Sequence, residues 1–260
     1  MRIDRRPTLS RAEARCVYDG FAAKGHIGGN DASSGYGGPA VAALLTMAAF
    51  ADASCVFEYG CGQGKLAELV LGQHNHLTWH GVDQSPLMID RARERLMPYN
   101  PRAQLNLLPS GAPEEVGTLP DEGGGDATRP MVVDRFVSTY VLDLLSERDM
   151  HAVLDLAQAR LHPTRGKLLL AGITWGYRDS WRTCLMTLLW EILYRLSGRT
   201  RKIVGGCRPQ HLEPYLRARG WTIEASARTL PTGFPWMVSE VVAARPPPPA
   251  GAPGRSSSTS

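Results

Sequence analysis

Short apolar runs alternate along the chain with stretches whose apolar residues recur at helical spacing. Residues 56–58, 77–83, 104–108, 134–140 and 167–174 read as strands, bounded mostly by Gly, Pro or polar residues. Between them, residues 65–71, 86–96 and 149–161 read as helices, with Pro98 and Pro163 placed as stops. Strand and helix in alternation predict a parallel sheet wound on both faces. After an apolar insert, residues 207–230 predict a further helix and a sixth strand at 221–228, and residues 237–245 predict a seventh. Only "TLPTGFPW" joins the last two strands, which makes them antiparallel. The expected fold class is therefore α/β: a seven-stranded mixed sheet, last strand antiparallel, with helices on both faces.

The pattern divides the chain into residues 1–40, a body at 41–244 and a tail at 245–260. The tail, "RPPPPAGAPGRSSSTS", has almost nothing to bury and is expected to be disordered. Within 1–40 the glycine-rich middle has no place in the sheet scheme, while the chain from Pro39 onward reads as a helix that packs on the sheet. The body carries an insert at about 176–204. Its core, "WRTCLMTLLWEILYRL", is too short and too charged to span a membrane. Thr183, Thr187 and Glu191 recur every four positions, leaving a narrow polar stripe on an otherwise apolar helix. Such a helix must cover most of its surface, with its own core, with a twin subunit in a homodimer, or with a lipid surface helped by the basic "SGRTRK" that follows.

Composition narrows the classes. With 260 residues, 43% hydrophobic and 21% charged, the chain can build a sizeable core, so disorder is not the rule. A net charge of +4 is too small to argue for nucleic acid, and no basic stripe interleaved with aromatics is present. Five cysteines without a CxxC pair, and a start lacking an apolar signal region, point to a reducing, cytoplasmic setting. His74, His76 and His80 have no partner cysteines or acids nearby in sequence and read as solvated loop histidines, so no metal site is expected.

The chemistry starts at "VFEYGCGQGKLAELVL", residues 56–71. Gly60, Gly62 and Gly64 follow the first strand and open a helix whose Leu66, Leu69 and Val70 share one face. Glycines at such a turn permit positive φ and let a ligand approach the backbone. In an open parallel sheet that turn lies at the carboxyl edge, where ligands bind. The spacing is GxGxG rather than GxGxxG, and Glu58 precedes it; a carboxylate there repels phosphate and suits a cationic ligand. Asp83 ends the second strand, where its two oxygens fit a ribose diol. Cys61 reads as a small buried filler rather than a nucleophile.

Taken in order, "VFEYGCGQG", "GVDQSPLMIDRARERL", "DRFVSTYVLDLLS" and "LHPTRGKLLLAGIT" resemble the class I S-adenosylmethionine-dependent methyltransferases, in the small-molecule branch of the methyltransferase domain 25/11 type. The resemblance implies a Rossmann-like fold, S-adenosylmethionine as cofactor and S-adenosylhomocysteine as product. It implies that Glu58, Gly60, Cys61, Gly62 and Gly64 frame the methionine part, that Asp83 holds the ribose, and that Gln84 and Met88 lie beside the adenosine. The family's adenine-binding acid falls at Gly111, so the Ala112 backbone or Glu114 would stand in. Tyr140, with Val141 and Leu142, is implied to lie near the methyl group, and residues 1–40 to act as a lid carrying Tyr18 and Tyr36.

Direct displacement at a sulfonium methyl needs alignment and exclusion of water, and a general base only for some acceptors. Tyr18, Asp143 and His211 are the candidate bases, and Tyr36, Trp175, Tyr177, Trp181 and Trp236 the candidate acceptor walls. "STYVLDLL" replaces the (Asn/Asp)-Pro-Pro-(Tyr/Phe) motif of base-modifying enzymes, so the expected acceptor is a small apolar or aromatic molecule. The alternatives are a lipid-like or macromolecular acceptor, and a non-catalytic member that binds cofactor or a partner.

Overall fold

The structure, a computed structural model, describes residues 9–23, 37–118, 131–175, 180–182, 184–185, 187–189, 192, 207–229 and 238–247. Seven strands form one sheet: β1 (Cys55–Tyr59), β2 (Thr78–Asp83), β3 (Ala103–Leu107), β4 (Arg135–Thr139), β5 (Lys167–Thr174), β6 (Thr222–Thr229) and β7 (Val238–Arg245). Their order is β3-β2-β1-β4-β5-β7-β6. The first five are parallel, while β7 runs antiparallel between β5 and β6. The helices are α1 (Arg11–Ala23), α2 (Gly37–Ala48), α3 (Lys65–Leu71), α4 (Pro86–Leu96), α5 (Glu147–Arg160) and α6 (Leu212–Ala218). The seven-stranded mixed architecture is the expected one.

Alternation along the strands sends side chains into two cores. Val56, Trp79, Val137, Leu169 and Val241 pack with α2 and α3 on one face. Phe57, Phe136, Leu168, Leu170 and Val242 pack with α5 and α6 on the other, where the Phe57 and Phe136 rings stack at 5.2 Å. Most element boundaries follow from local chemistry. Ser85 caps α4 by accepting the Met88 N–H at 3.1 Å, with Pro86 in the first helical position. Ser146 caps α5 in the same way through the Asp149 N–H, so α5 starts at Glu147, two residues before the expected start.

The fourth strand is shorter than the expected 134–140 at both ends. Asp134 turns its carboxylate onto the Ser54 N–H at 2.7 Å and the Arg165 Nε–H at 2.6 Å, and Tyr140 leaves the strand with φ 56°. Next to it, the buried Arg135 donates from Nε to the Ala48 carbonyl at 2.5 Å and from Nη2 to the Ala49 carbonyl at 2.7 Å. It thereby satisfies the carbonyl end of α2 and fixes that helix on the sheet. Replacing Arg135 by Ala leaves those carbonyls buried without a donor, and is expected to cost about 2–4 kcal/mol in urea unfolding. A loss below about 0.5 kcal/mol would show that α2 is held by its apolar face alone.

Residues 11–23 form α1, a helix of thirteen residues that packs on α4 and buries Ala14. The glycine-rich stretch 24–36 and most of the tail lie outside the described residues.

Candidate active site

The loop after β1 is the centre of the site. Gly60, Gly62 and Gly64 all have positive φ, at 79°, 53° and 73°. The Gly60 and Cys61 N–H groups donate to the Val82 carbonyl at 2.8 and 2.9 Å, and the Gly62 N–H donates to Asp83 Oδ2 at 2.9 Å. Asp83 Oδ1 accepts the Ser85 N–H at 2.9 Å. Backbone donors from Gly62, Ser85 and Gln84 therefore fix the Asp83 carboxylate, whose two oxygens retain capacity for a further donor. A Cβ on Gly60 would lie 2.2 Å from Val141 Cγ2, whereas one on Gly62 would meet nothing within 4 Å. Gly60 is thus demanded by packing, and Gly62 borders open space at the tip of the loop.

Glu58 is fully buried behind that loop. Its Oε2 accepts the Trp79 Nε1–H at 3.1 Å, and its Oε1 has no hydrogen-bond partner among the described residues. Burial pushes its carboxyl up to about 8, against the lowering effect of the Trp79 hydrogen bond. Burial likewise raises Asp83. Two acids that cost free energy to ionise in place form a site that wants a cation and hydroxyl donors. Cys61 is buried against Gly81, and burial holds its thiol well above the ordinary range, which removes it as a nucleophile.

Along the edge toward β3, Gln84 packs on Gly111, whose φ is 65°; a Cβ there would lie 2.5 Å from Gln84 Oε1. The Tyr59 hydroxyl donates to the Gly111 carbonyl at 3.1 Å, and Met88 is buried in the first turn of α4. The Ala112 N–H is engaged by Ser110 Oγ at 3.3 Å, and Glu114 is exposed. Toward β5, the left-handed Tyr140 is tied through its N–H to the Ala171 carbonyl, and its hydroxyl pairs with Ser239 Oγ at 2.9 Å, on β7.

The candidate bases fall in two places. Asp143 follows β4, is 2% exposed, and accepts the Ile173 N–H at 3.4 Å through Oδ2; its Oδ1 has no partner among the described residues. Burial pushes its carboxyl to about 7, and the Arg208 charge works against that rise. The buried Cys207 lies beside Asp143, and the Tyr18 hydroxyl reaches Cys207 Sγ at 3.8 Å. Two residues 125 positions apart in sequence thus join one cluster. His211 stands at the N-terminal boundary of α6 with Nδ1 3.4 Å from Thr174 Oγ1, at the end of β5. The α6 cap comes from elsewhere: buried Glu240 on β7 accepts the Leu212 N–H at 2.6 Å.

Helix α1 lies across this edge. Arg11 pairs with Asp149 at 2.5 Å, at the start of α5, while Asp19 hydrogen-bonds Ser85 at the start of α4. Those helices follow β4 and β2, which flank β1, so α1 bridges the helix starts on either side of β1. Of the expected acceptor walls, Trp175 follows β5 half-buried, and Tyr36, Tyr177 and Trp236 lie outside the described residues. Trp181 is 72% exposed with the Arg182 guanidinium over its ring, so it stands in solvent rather than in an enclosed pocket.

Several bracing groups were not visible in sequence. Arg95, which reads as part of a solvated "RARERL" face, donates Nε–H to the Gln63 carbonyl at 2.9 Å and pairs with Glu68 at 2.8 Å, clamping the glycine loop to α3. Residues 207–211 knit the ends of β4 and β5: the Arg208 N–H bonds the Asp143 carbonyl, the Gln210 N–H the Ile173 carbonyl, and Gln210 Nε2 the Leu142 carbonyl. No local signal marks these contacts, since each partner is more than 25 residues away.

Comparison with known proteins addresses the same edge. Residues 57–168, from β1 through the start of β5, match the family model described as a methyltransferase domain. Residues 57–168 thus match a methyltransferase domain. Among solved structures, the chain is similar to the N-methyltransferase NodS from Bradyrhizobium japonicum WM9 in complex with S-adenosyl-L-homocysteine, with TM-score 0.61 and 14% identity over 90% of this chain and 99% of that one. It is also similar to an O-methyltransferase family protein from Burkholderia thailandensis, with TM-score 0.55 and 17% identity over 81% of this chain and 56% of that one. The dimethyltransferase RosA from Streptomyces davawensis gives TM-score 0.54 and 17% identity over 81% and 55%. The chain therefore spans about half the length of the latter two proteins. At these identities the structural likeness speaks for the fold. A comparison with curated proteins gives no match.

Proposed function

We propose that this methyltransferase transfers a methyl group by direct displacement to a small apolar or aromatic acceptor, with the cofactor held at the glycine loop. The observation that carries the reading is the pair of buried acids around an open glycine tip: Glu58 with an unsatisfied Oε1, and Asp83 pre-oriented by the Gly62 and Ser85 N–H groups. These residues fit S-adenosylmethionine. Glu58 suits its ammonium group, Asp83 its ribose diol, and Gln84, Met88 and the turn at Gly111 its adenine side. When bound, the cofactor supplies a sulfonium methyl that is already electrophilic. The chain's own task is to align the acceptor and keep water out.

Helix α1, set over β1 by Arg11 and Asp19, supplies that cover, and Tyr18 places its hydroxyl on the cover's inner side near Asp143. Trp175 and His211, at the end of β5, bound the acceptor region. NodS and the Burkholderia protein are named for nitrogen and oxygen acceptors, and a hydroxyl or protonated amine must lose a proton during transfer. Asp143 is the group placed to take it.

Calorimetry with S-adenosylhomocysteine tests the cofactor assignment. Asp83→Ala removes both anchored oxygens and is expected to weaken binding by about 100-fold or more, from two charge-assisted hydrogen bonds. Unchanged affinity in a variant that melts like the wild type would refute the ribose assignment. A preference for a nicotinamide dinucleotide would refute the cofactor. Homocysteine-coupled turnover across phenols, amines and thiols then identifies the acceptor, and turnover of highly charged acceptors alone would rule out the apolar class.

A further inference from the structure

The described part of the insert between β5 and α6 turns apolar residues to solvent. Its described residues, 181–182, 184–185, 187–189 and 192, are helical. Thr187 is 2% exposed, while Trp181, Leu185, Leu188, Leu189 and Ile192 are 44–72% exposed. At about 100° per residue those five fall within an arc of about 100°, on the side away from Thr187. The sequence suggests that such a helix covers most of its surface, with its own core, a twin subunit or a lipid surface. Its own core does not cover the described apolar residues: Thr187 is buried, and the apolar stripe faces solvent. Exposed large apolar residues in a contiguous face mark an interaction surface rather than scatter.

Charge says what meets that face. Residues 176–206 hold six Arg or Lys, among them Arg195, Arg199, Arg201 and Lys202, against the two acids Asp179 and Glu191. Six minus two leaves +4, the formal net charge of the whole chain, so the remainder of the protein is neutral. Pairing two copies through this face would set one +4 segment on another and gain no compensating acid. A surface that is apolar inside and anionic outside satisfies both features. Arg182, Glu191 and Arg195 interrupt the apolar stretch 181–196, which is too short and too charged to span a bilayer and suits docking in the plane of the interface.

We infer that the insert docks this methyltransferase on an anionic lipid surface, with the Trp181–Leu185–Leu188–Ile192 face in the headgroup–acyl boundary and the +4 charge of residues 176–206 drawing it to anionic headgroups. The insert leaves the chain at Thr174, the carboxyl end of β5, so docking brings the acceptor edge to the lipid. The inference does not depend on methyl transfer, because its test needs no turnover.

The test is co-sedimentation of the full chain with vesicles of phosphatidylcholine alone and of phosphatidylcholine mixed with phosphatidylglycerol, alongside light scattering in solution. The wild type is expected to partition at least about tenfold more strongly into the anionic vesicles, and added salt is expected to reduce that preference. The double variant Leu185→Glu/Leu188→Glu is expected to lose at least about tenfold in partitioning with an unchanged melting temperature. Equal partitioning into both vesicles, or no effect of the double variant, overturns the inference. So does a dimer that the same substitutions dissociate in a protein that binds neither vesicle, which would make a second copy the occupant.

Discussion

S-adenosylhomocysteine is expected to bind more tightly as pH rises, by up to about tenfold per unit from about pH 6 to about pH 8, and Glu58→Gln is expected to abolish that slope. In the free protein the Glu58 carboxyl is shut from water, holds one hydrogen bond from Trp79 and leaves Oε1 empty among the described residues, and burial pushes its titration up to about 8. It is therefore neutral through most of the working range. The ammonium of the ligand's methionine part favours the ionised form, so binding must expel a proton below about pH 8. Proton release on binding makes affinity grow with pH until Glu58 is already ionised, after which the dependence levels off.

The same shift has the opposite sign for folding. The folded Glu58 titrates above the ordinary carboxylate, so folding takes up a proton. The stability it contributes is complete below the ordinary carboxylate range, near 4.5, and is lost as pH rises to about 8. Asp143, raised to about 7, adds a loss of the same sign. The melting temperature of the free protein is thus expected to fall across this window while ligand-induced stabilisation grows. Calorimetry at several pH values reads both effects. Affinity independent of pH in the wild type would mean that the Glu58 carboxyl does not face the cation.

What was legible in sequence is what is decided locally. The strands at 77–83 and 167–174 match β2 and β5 to within a residue, because their apolar runs are bounded by polar and glycine residues that cannot continue the ladder. The placement of β7 between β5 and β6 was not legible. It rests on pairings such as Leu168 with Ala244 and Ile223 with Ala244, far apart in the chain, and a burial pattern cannot say which of two late strands is inner. The difference shows afterwards in composition: β7 is buried at seven of its eight positions, while β6 alternates as an edge strand does. Helix α1 carries Ala14, Val17, Tyr18 and Phe21 at helical spacing, but its polar ties through Arg11 and Asp19 reach partners far along the chain and leave no local signal of where it packs.

The site divides in the same way. Glu58, the three glycines and Asp83 stand within 26 residues of sequence and announce one ligand. The groups that hold them in place come from elsewhere: Trp79 on Glu58, Arg95 on the Gln63 carbonyl, Val141 against Gly60. A tryptophan in a strand reads as core, and in Trp79 the core residue and the carboxylate's partner are the same side chain. The insert was the least legible part. A polar stripe on an apolar helix says that two unlike surfaces exist, but which of them faces the protein depends on packing that the stripe does not encode.

Replacing Asp143 by Asn is expected to lower kcat by about 10²–10⁴-fold while leaving S-adenosylhomocysteine affinity unchanged. The carboxylate stands just beyond β4, beneath α1, with Oδ2 on the Ile173 N–H and Oδ1 without a partner among the described residues. Burial brings its titration to about 7, where a carboxyl is a far better base than one in water and is still ionised in useful amount at neutral pH. Asn keeps the size and can still accept from Ile173, so the fold is preserved while the ability to take a proton is lost. The wild-type kcat is expected to rise as pH passes about 7, since the base acts in its ionised form, and the variant is expected to lose that limb. Tyr18, held 3.8 Å from Cys207 Sγ, positions the cluster. Tyr18→Phe is therefore expected to cost about tenfold or less and to retain the limb near 7. A variant Asp143→Asn with full kcat and an unchanged pH profile would show that the acceptor gives its proton to water, and that the buried carboxylate serves only to hold β4 against β5.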